Sequence, residues 1–313
     1  MSLNQPEEEG AEPALPPING SPSFLKRWWV RVPAFLGLLM VGMTGTLGWS
    51  QRSLIYHPRP EPAGLVLPGD AVRVGWQTTD GQQWAVYLPP KGPGNQGPPE
   101  RLWVVCSGNA SLAVDWIPYM EESVRKAPGP LVRTGYLLVD YPGYGRCEGR
   151  PSEASIGRTM ASVLEALTSQ QGWSAESVRR DLRVLGFSLG SGAALKLAAR
   201  ETVRELVLLA PFRSLPHAAR QVVGPYLTWM VVDQFDNEAR LREILKRPEV
   251  PPLTIFHGSA DTVIPFSHGE ALVSLYGPRG RLIRVEGGDH RLQGEVHWNQ
   301  ITALLRGQGG KKD

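Results

Sequence analysis

Gly186-Phe187-Ser188-Leu189-Gly190 lies between an apolar run, Leu182–Gly186, and an Ala-rich helical pattern, Ser191–Arg200. A serine held in a tight strand-to-helix turn takes a strained backbone and pushes its hydroxyl out of the sheet. The neighbours two positions away must be small, because Cβ atoms there crowd the turn. The following helix aims the positive end of its dipole at the site, and the backbone N–H of Leu189 is expected to hold an oxyanion. The chemistry that fits is nucleophilic attack on an acyl carbon. Serine is a weak nucleophile at neutral pH, so a base must reach it.

Six histidines compete for that role. His290 ends Val285-Glu286-Gly287-Gly288-Asp289-His290, a Gly-rich loop just past the last apolar run. His57 precedes a Pro-rich stretch, His217 falls in an insertion and His268 opens a helix. His257 ends a strand, and His297 lies inside the last helical pattern. Only His290 combines a late position with a loop setting, and it is the expected base. A carboxylate must then orient the imidazole and stabilise the imidazolium. Asp261 follows the run Leu253–His257 through Gly258-Ser259-Ala260, on a loop after a strand. Asp233 and Asp236 are rivals inside the insertion, and Asp289 is too close to His290 in the chain to accept from its ring easily. The expected set is Ser188, Asp261 and His290.

These residues need a frame. Val72–Thr78 and Gln83–Leu88 flank Asp80-Gly81, a hairpin signal. Leu102–Cys106, Tyr136–Asp140, Leu182–Gly186, Glu205–Leu209, Leu253–His257 and Leu282–Val285 are short continuous apolar runs, the pattern of buried strands. Helical spacing appears in Ser152–Thr168, with Ile156, Met160, Val163, Leu164 and Leu167 on one face. It appears again in Ser267–Leu275 and Asn299–Leu305. The alternation predicts an α/β fold, a mostly parallel sheet with helices on both faces. Residues 211–248 interrupt the rhythm and read as a cap insertion over the carboxyl ends of the strands, where such sheets bind ligands. Within it, Tyr226, Leu227, Trp229 and Met230 either line an acyl pocket or seal the insertion to the body.

The chain has 313 residues, 42% of them hydrophobic, enough for a sizeable core. With 33 basic and 30 acidic residues the net charge is +3, scattered without a run or stripe, so no nucleic-acid partner is expected. Cys106 and Cys147 exclude a disulfide scaffold and a Cys-rich zinc site; one bridge between them is open to the pair, and two buried free thiols are the expected state. Residues 1–25 read as a disordered acidic leader and 307–313 as a flexible tail. Lys26, Arg27 and Arg31 precede an uncharged run from Val32 to Ser50, flanked by Trp28, Trp29 and Trp49. As a helix that run spans about 28 Å, close to a hydrocarbon core of about 30 Å. A single transmembrane anchor is therefore expected over residues 28–50. The basic flank predicts a cytoplasmic amino terminus and a catalytic domain outside the cytoplasm, periplasmic in a bacterium.

GFSLG, Phe256–Gly269 (FHGSADTVIPFSHG) and EGGDH (286–290) together resemble the α/β-hydrolase superfamily. QRSLIYHP (51–58) and DYPGYG (140–145) are similar to its single-anchor branch of esterase-, thioesterase- and lysophospholipase-like proteins, grouped also with serine-aminopeptidase-type domains. The resemblance covers roughly residues 50–305. It implies an α/β-hydrolase domain over 51–306 and a second oxyanion donor, the backbone N–H of Asn109, with Ala110 as the alternative. The branch carries His-Gly-Asn-Ala where this chain has Ser107-Gly108-Asn109-Ala110. A main-chain donor survives that change, so Asn109→Ala is expected to keep most activity. The expected function is membrane-anchored hydrolysis of carboxylic esters or thioesters, lipid-like acyl compounds among them, without metal or cofactor. The alternatives are an aminopeptidase-like amidase, for which Glu148 or Glu153 would bind an amine, and a non-catalytic scaffold.

Overall fold

A computed structural model describes residues 31–38, 42, 51–92, 97–125, 132–224, 228–292 and 295–306. The chain divides into two compact units, Met1–Leu47 and Gly48–Asp313. In the first, residues 31–38 are helical. Among the described residues no helix is long and apolar enough to cross a membrane. Most of the expected anchor, and all of the leader and tail, lie outside the described residues.

In the second unit the apolar runs become the strands of one sheet. They are β1 (Val72–Thr78), β2 (Gly81–Leu88), β3 (Arg101–Cys106), β4 (Thr134–Val139), β5 (Leu182–Phe187), β6 (Glu205–Leu209), β7 (Leu253–Gly258) and β8 (Gly280–Val285). Their order is β1-β2-β4-β3-β5-β6-β7-β8. The pairs β1/β2 and β2/β4 are antiparallel and all other pairs parallel. The expected mostly parallel sheet with an antiparallel hairpin at one edge is what forms.

Alternation along the buried strands separates two cores. One face carries Val104, Val184, Leu206, Leu208 and Ile255. It packs with α2 (Glu153–Gln171), α4 (Leu189–Arg200), α6 (Asn237–Leu245) and α7 (Ser267–Tyr276), the short α3 (Ala175–Arg179) lying between the first two in sequence. The other face carries Trp103, Val105, Leu185, Val207 and Phe256, covered by α1 (Ile117–Arg125) and α8 (Glu295–Leu305). The indole of Trp103 donates to the Leu305 carbonyl at 3.1 Å, which ties the last helix to the sheet. Helices therefore lie on both faces, as the strand pattern requires.

The insertion between β6 and β7 contains α5 (Leu215–Val223) and α6. Glu153, in the first turn of α2, holds it: one carboxylate oxygen accepts from the N–H groups of Gln234 at 2.7 Å and Phe235 at 2.9 Å, the other from Lys196 Nζ at 2.8 Å. Cys106 and Cys147 are both free thiols and both buried, so no bridge joins them.

Candidate active site

Ser188 follows β5 and caps α4 with φ 51° and ψ −117°, a strained backbone for a residue with a side chain. The flanking glycines are required by contact. A Cβ on Gly186 would sit 2.5 Å from the Gly190 carbonyl oxygen, and one on Gly190 would run into the carbonyl oxygens of Cys106 and Ser107. The turn is thus pressed between its own helix and the end of β3, leaving the serine nowhere to relax. Ser188 N donates to the Leu209 carbonyl at 2.9 Å, which fixes the elbow to β6. Leu189 opens α4, so its N–H lies in the first turn, where no intrahelical acceptor exists.

Ser188 Oγ stands 2.9 Å from His290 Nε2, and His290 Nδ1 stands 2.8 Å from Asp261 Oδ2. All three residues lie just beyond carboxyl ends of strands: β5, β8 and β7. The β7 and β8 loops are joined by backbone bonds, Ser259 N to the Val285 carbonyl at 2.9 Å and Ala260 N to the Gly288 carbonyl at 3.0 Å. Gly258 is needed at that crossing, because a Cβ there would enter the Gly288 carbonyl. Asp261 Oδ1 accepts from the N–H groups of Val263 at 2.9 Å and Ile264 at 2.8 Å. Burial alone would raise its carboxyl, but the bonds from His257, His290 and the Ile264 N–H hold it well below the usual carboxylate range. Asp261 is therefore ionised and fixed, and Nδ1 of His290 carries the proton that bonds to it. Nε2 is left to accept from the serine.

The rival residues are engaged elsewhere. Asp233 binds Tyr56 and Arg52. Asp236 caps α6 through Ala239 N, and Asp289 accepts from Arg291 N. His217 Nδ1 contacts Ser214 Oγ at 2.8 Å, and His268 Nδ1 accepts from Arg213 N at 3.0 Å. The side chain of His297 lies outside the described residues.

No family model matches the chain. An uncharacterised protein of Mycobacterium tuberculosis is 29% identical over 287 residues, spanning 88% of this chain and 94% of that one. Among solved structures, an α/β-hydrolase from Vibrio vulnificus superposes with a TM-score of 0.59 at 16% identity, over 76% of this chain and 81% of that one. The chain has the α/β-hydrolase fold. A Pyrococcus furiosus esterase is similar to it in the same way, with a TM-score of 0.58 at 13% identity over 81% of this chain and 97% of that one.

In this α/β-hydrolase fold a cleft of about 370 Å³ is lined by Phe187, which precedes Ser188 in the chain, and by Asn109; Ser188, Asp261 and His290 do not line it. Its apolar wall is Trp116, Tyr119, Phe187, Leu292 and Trp298, with Arg59 and Arg291 among the polar lining residues. Tyr119 and Trp298 stack at 4.4 Å between ring centroids, and the Phe187 ring lies 5.4 Å from that of His290. None of the described residues of the insertion lines this cleft. Trp229 is 69% exposed, the Met230 carbonyl accepts from Gln51, and Tyr226 and Leu227 lie outside the described residues. The cleft is built instead from the β3 loop, α1 and α8 among the described residues. The aromatic residues of α1 and α8 carry this wall because those helices cover the face on which Phe187 emerges.

Glu148 and Glu153 also fall elsewhere. Glu148 accepts from Gln82 N at the β1–β2 turn, and Glu153 is taken up by the insertion and Lys196. Neither lines the cleft, so the pair offers no amine-binding patch there.

Two further features brace the site. His257, fully buried, puts Nε2 2.8 Å from the Ile264 carbonyl and 3.5 Å from Asp261 Oδ2. It steadies the Asp261 loop from below, and its spacing of four from Asp261 was the one available hint. The DYPGYG segment braces the loop after β3. Asp140 Oδ1 accepts from Ala113 N at 2.7 Å, Tyr141 donates to the Ser107 carbonyl at 2.8 Å, and Tyr144 donates to Asn109 Oδ1 at 2.7 Å. Burial pushes the Asp140 carboxyl up to about 7, Glu61 and Asp115 adding to the rise while the Ala113 N–H opposes it.

Proposed function

We propose that this chain is a serine hydrolase of carboxylic ester or thioester bonds that works through an acyl-enzyme. The observation that carries the reading is the continuous hydrogen-bond path from Asp261 through His290 to Ser188, with the serine on a strained turn at a helix amino terminus. In the first half-reaction Ser188 Oγ attacks the acyl carbon while His290 Nε2 takes its proton. The oxyanion is held by the N–H groups of Leu189 and Asn109. On collapse, His290 returns the proton to the departing alcohol or thiol, leaving the acyl group on Ser188. Water, deprotonated by the same nitrogen, then releases the acid and restores the hydroxyl.

The aromatic cleft suits an acyl chain or ring of modest size, since pockets of about 300–1,000 Å³ take small ligands. The reading includes an anchor over residues 28–50 with the hydrolase unit outside the cytoplasm, supported by the apolar run and its basic flank. The test is labelling of the membrane-fraction protein with a fluorophosphonate probe, beside Ser188→Ala. Labelling of the wild type that disappears in the variant is the expected result. A folded wild type that fails to label overturns the activated serine. Extraction of the protein by alkaline carbonate would remove the anchor from the reading and leave the chemistry intact.

A further inference from the structure

Asn109 carries more than a backbone donor. Its side-chain oxygen accepts from His57 N at 2.9 Å and from the Tyr144 hydroxyl at 2.7 Å. Its amide nitrogen donates to the Ile55 carbonyl at 2.6 Å and to His57 Nδ1 at 3.0 Å. An asparagine side chain has two acceptor sites and two donor hydrogens, and all four are engaged. Saturation of this kind fixes both χ angles and with them the backbone on either side. The next residue, Ala110, has φ 58°, so the loop is held against its own conformational preference.

The partners of Asn109 are themselves fixed. Residues 51–55 are helical, and the segment runs on as a strap from Gln51 to Glu61. At its start the Gln51 side chain bonds the Met230 carbonyl at 2.8 Å and Val232 N at 3.0 Å. Buried Tyr56 donates to Asp233 Oδ2 at 2.9 Å, with Arg52 3.2 Å from the same oxygen. At its end Arg59 pairs with Asp115 at 2.6 Å, and Pro60 bridges to Gly145. The strap thus joins the insertion at one end and the DYPGYG loop at the other, and it presents Ile55 and His57 to Asn109 in between.

We propose that Asn109 is a positioning residue: its side chain, clamped by Ile55, His57 and Tyr144, sets the direction of its own backbone N–H toward the oxyanion. This rests on the hydrolase reading above and adds to it that residues 55–57 are part of the catalytic apparatus by way of Asn109. It also reverses the expectation that Asn109→Ala is silent. Because the oxyanion exists only after attack, loss of direction lowers kcat and leaves KM nearly unchanged.

The experiment compares full-length wild type, Asn109→Asp, Asn109→Ala, Tyr144→Phe and Ser188→Ala on a short-chain aryl ester. Affinity for a trifluoromethyl ketone, which forms a tetrahedral adduct with an active serine, is measured beside it. Asn109→Asp keeps the shape and sets an acceptor against the Ile55 carbonyl. Its kcat should fall about 100-fold with KM held within about threefold, the size expected for loss of one oxyanion donor. Ketone affinity should weaken in parallel with kcat/KM, which a merely structural role would not produce. Tyr144→Phe, which removes one of the four bonds, should give a smaller loss of the same kind, and it carries the test if Asn109→Ala does not fold. Wild-type kcat in Asn109→Asp, or a kcat loss with unchanged ketone affinity, overturns the positioning role alone. Wild-type turnover that survives Ser188→Ala overturns the hydrolase reading, and this proposal with it.

Discussion

Asp261 uses both carboxylate oxygens, one for two backbone N–H groups and one for His290. Asp261→Asn keeps the backbone bonds but can place an amide donor against Nδ1–H. The imidazole then shifts its proton to Nε2, where it cannot accept from Ser188. We expect kcat to fall by about 10⁴-fold in steady-state ester hydrolysis, and a loss below tenfold would remove Asp261 from the path. Because the Asp261 carboxyl sits well below the ordinary range, it stays ionised through mildly acid conditions. Loss of activity there does not report protonation of Asp261. Ser188, Asp261 and His290 were legible in the sequence because each ends a strand-and-loop pattern that local composition reveals. The side-chain hydrogen bonds of Asn109 were not, because its partners Ile55 and His57 lie over fifty residues upstream and no periodicity connects them.

At the scale of elements, the insertion is secured to the body in part by one carboxylate. Glu153 meets two backbone N–H groups and a lysine. Although burial opposes ionisation, the Lys196 and backbone bonds bring its carboxyl below the ordinary value. Glu153→Gln should destabilise the fold by about 1–3 kcal/mol, the range for a buried polar contact left unmade. Limited proteolysis should then cut within residues 211–248 sooner than in the wild type, and an unchanged cleavage pattern would show that the insertion is held by its apolar contacts alone. The strands were readable from their continuous apolar runs. The cleft wall made by Tyr119 of α1 and Trp298 of α8 was not readable in the same way. Those helices contribute aromatic residues whose neighbours across the cleft are set by packing alone.

For the whole molecule, stability should depend on pH through His268. Burial lowers this imidazole from 6.5 to about 4, with its neighbours His257, His217 and Arg213 adding to the effect and Asp261 opposing it. Between those values the unfolded chain binds a proton that the folded chain refuses, so folding weakens as pH falls through that window. The loss amounts to about 3 kcal/mol, and protonation would also remove the acceptor used by Arg213 N. His268→Asn keeps an acceptor without titrating. Its urea midpoint should change less between pH 7 and pH 4.5 than that of the wild type, and an equal change would place the sensitivity elsewhere.

The strap also carries a consequence for synthesis. Residues 51–61 leave the ribosome early, yet Tyr56 and Arg52 find their partner only at Asp233, 177 and 181 residues later in the chain. Asn109 cannot be clamped from both sides until Tyr144 has been made, nor the strap closed until the insertion has arrived. A growing chain therefore carries the GFSLG residues before the strap can lock through Asp233.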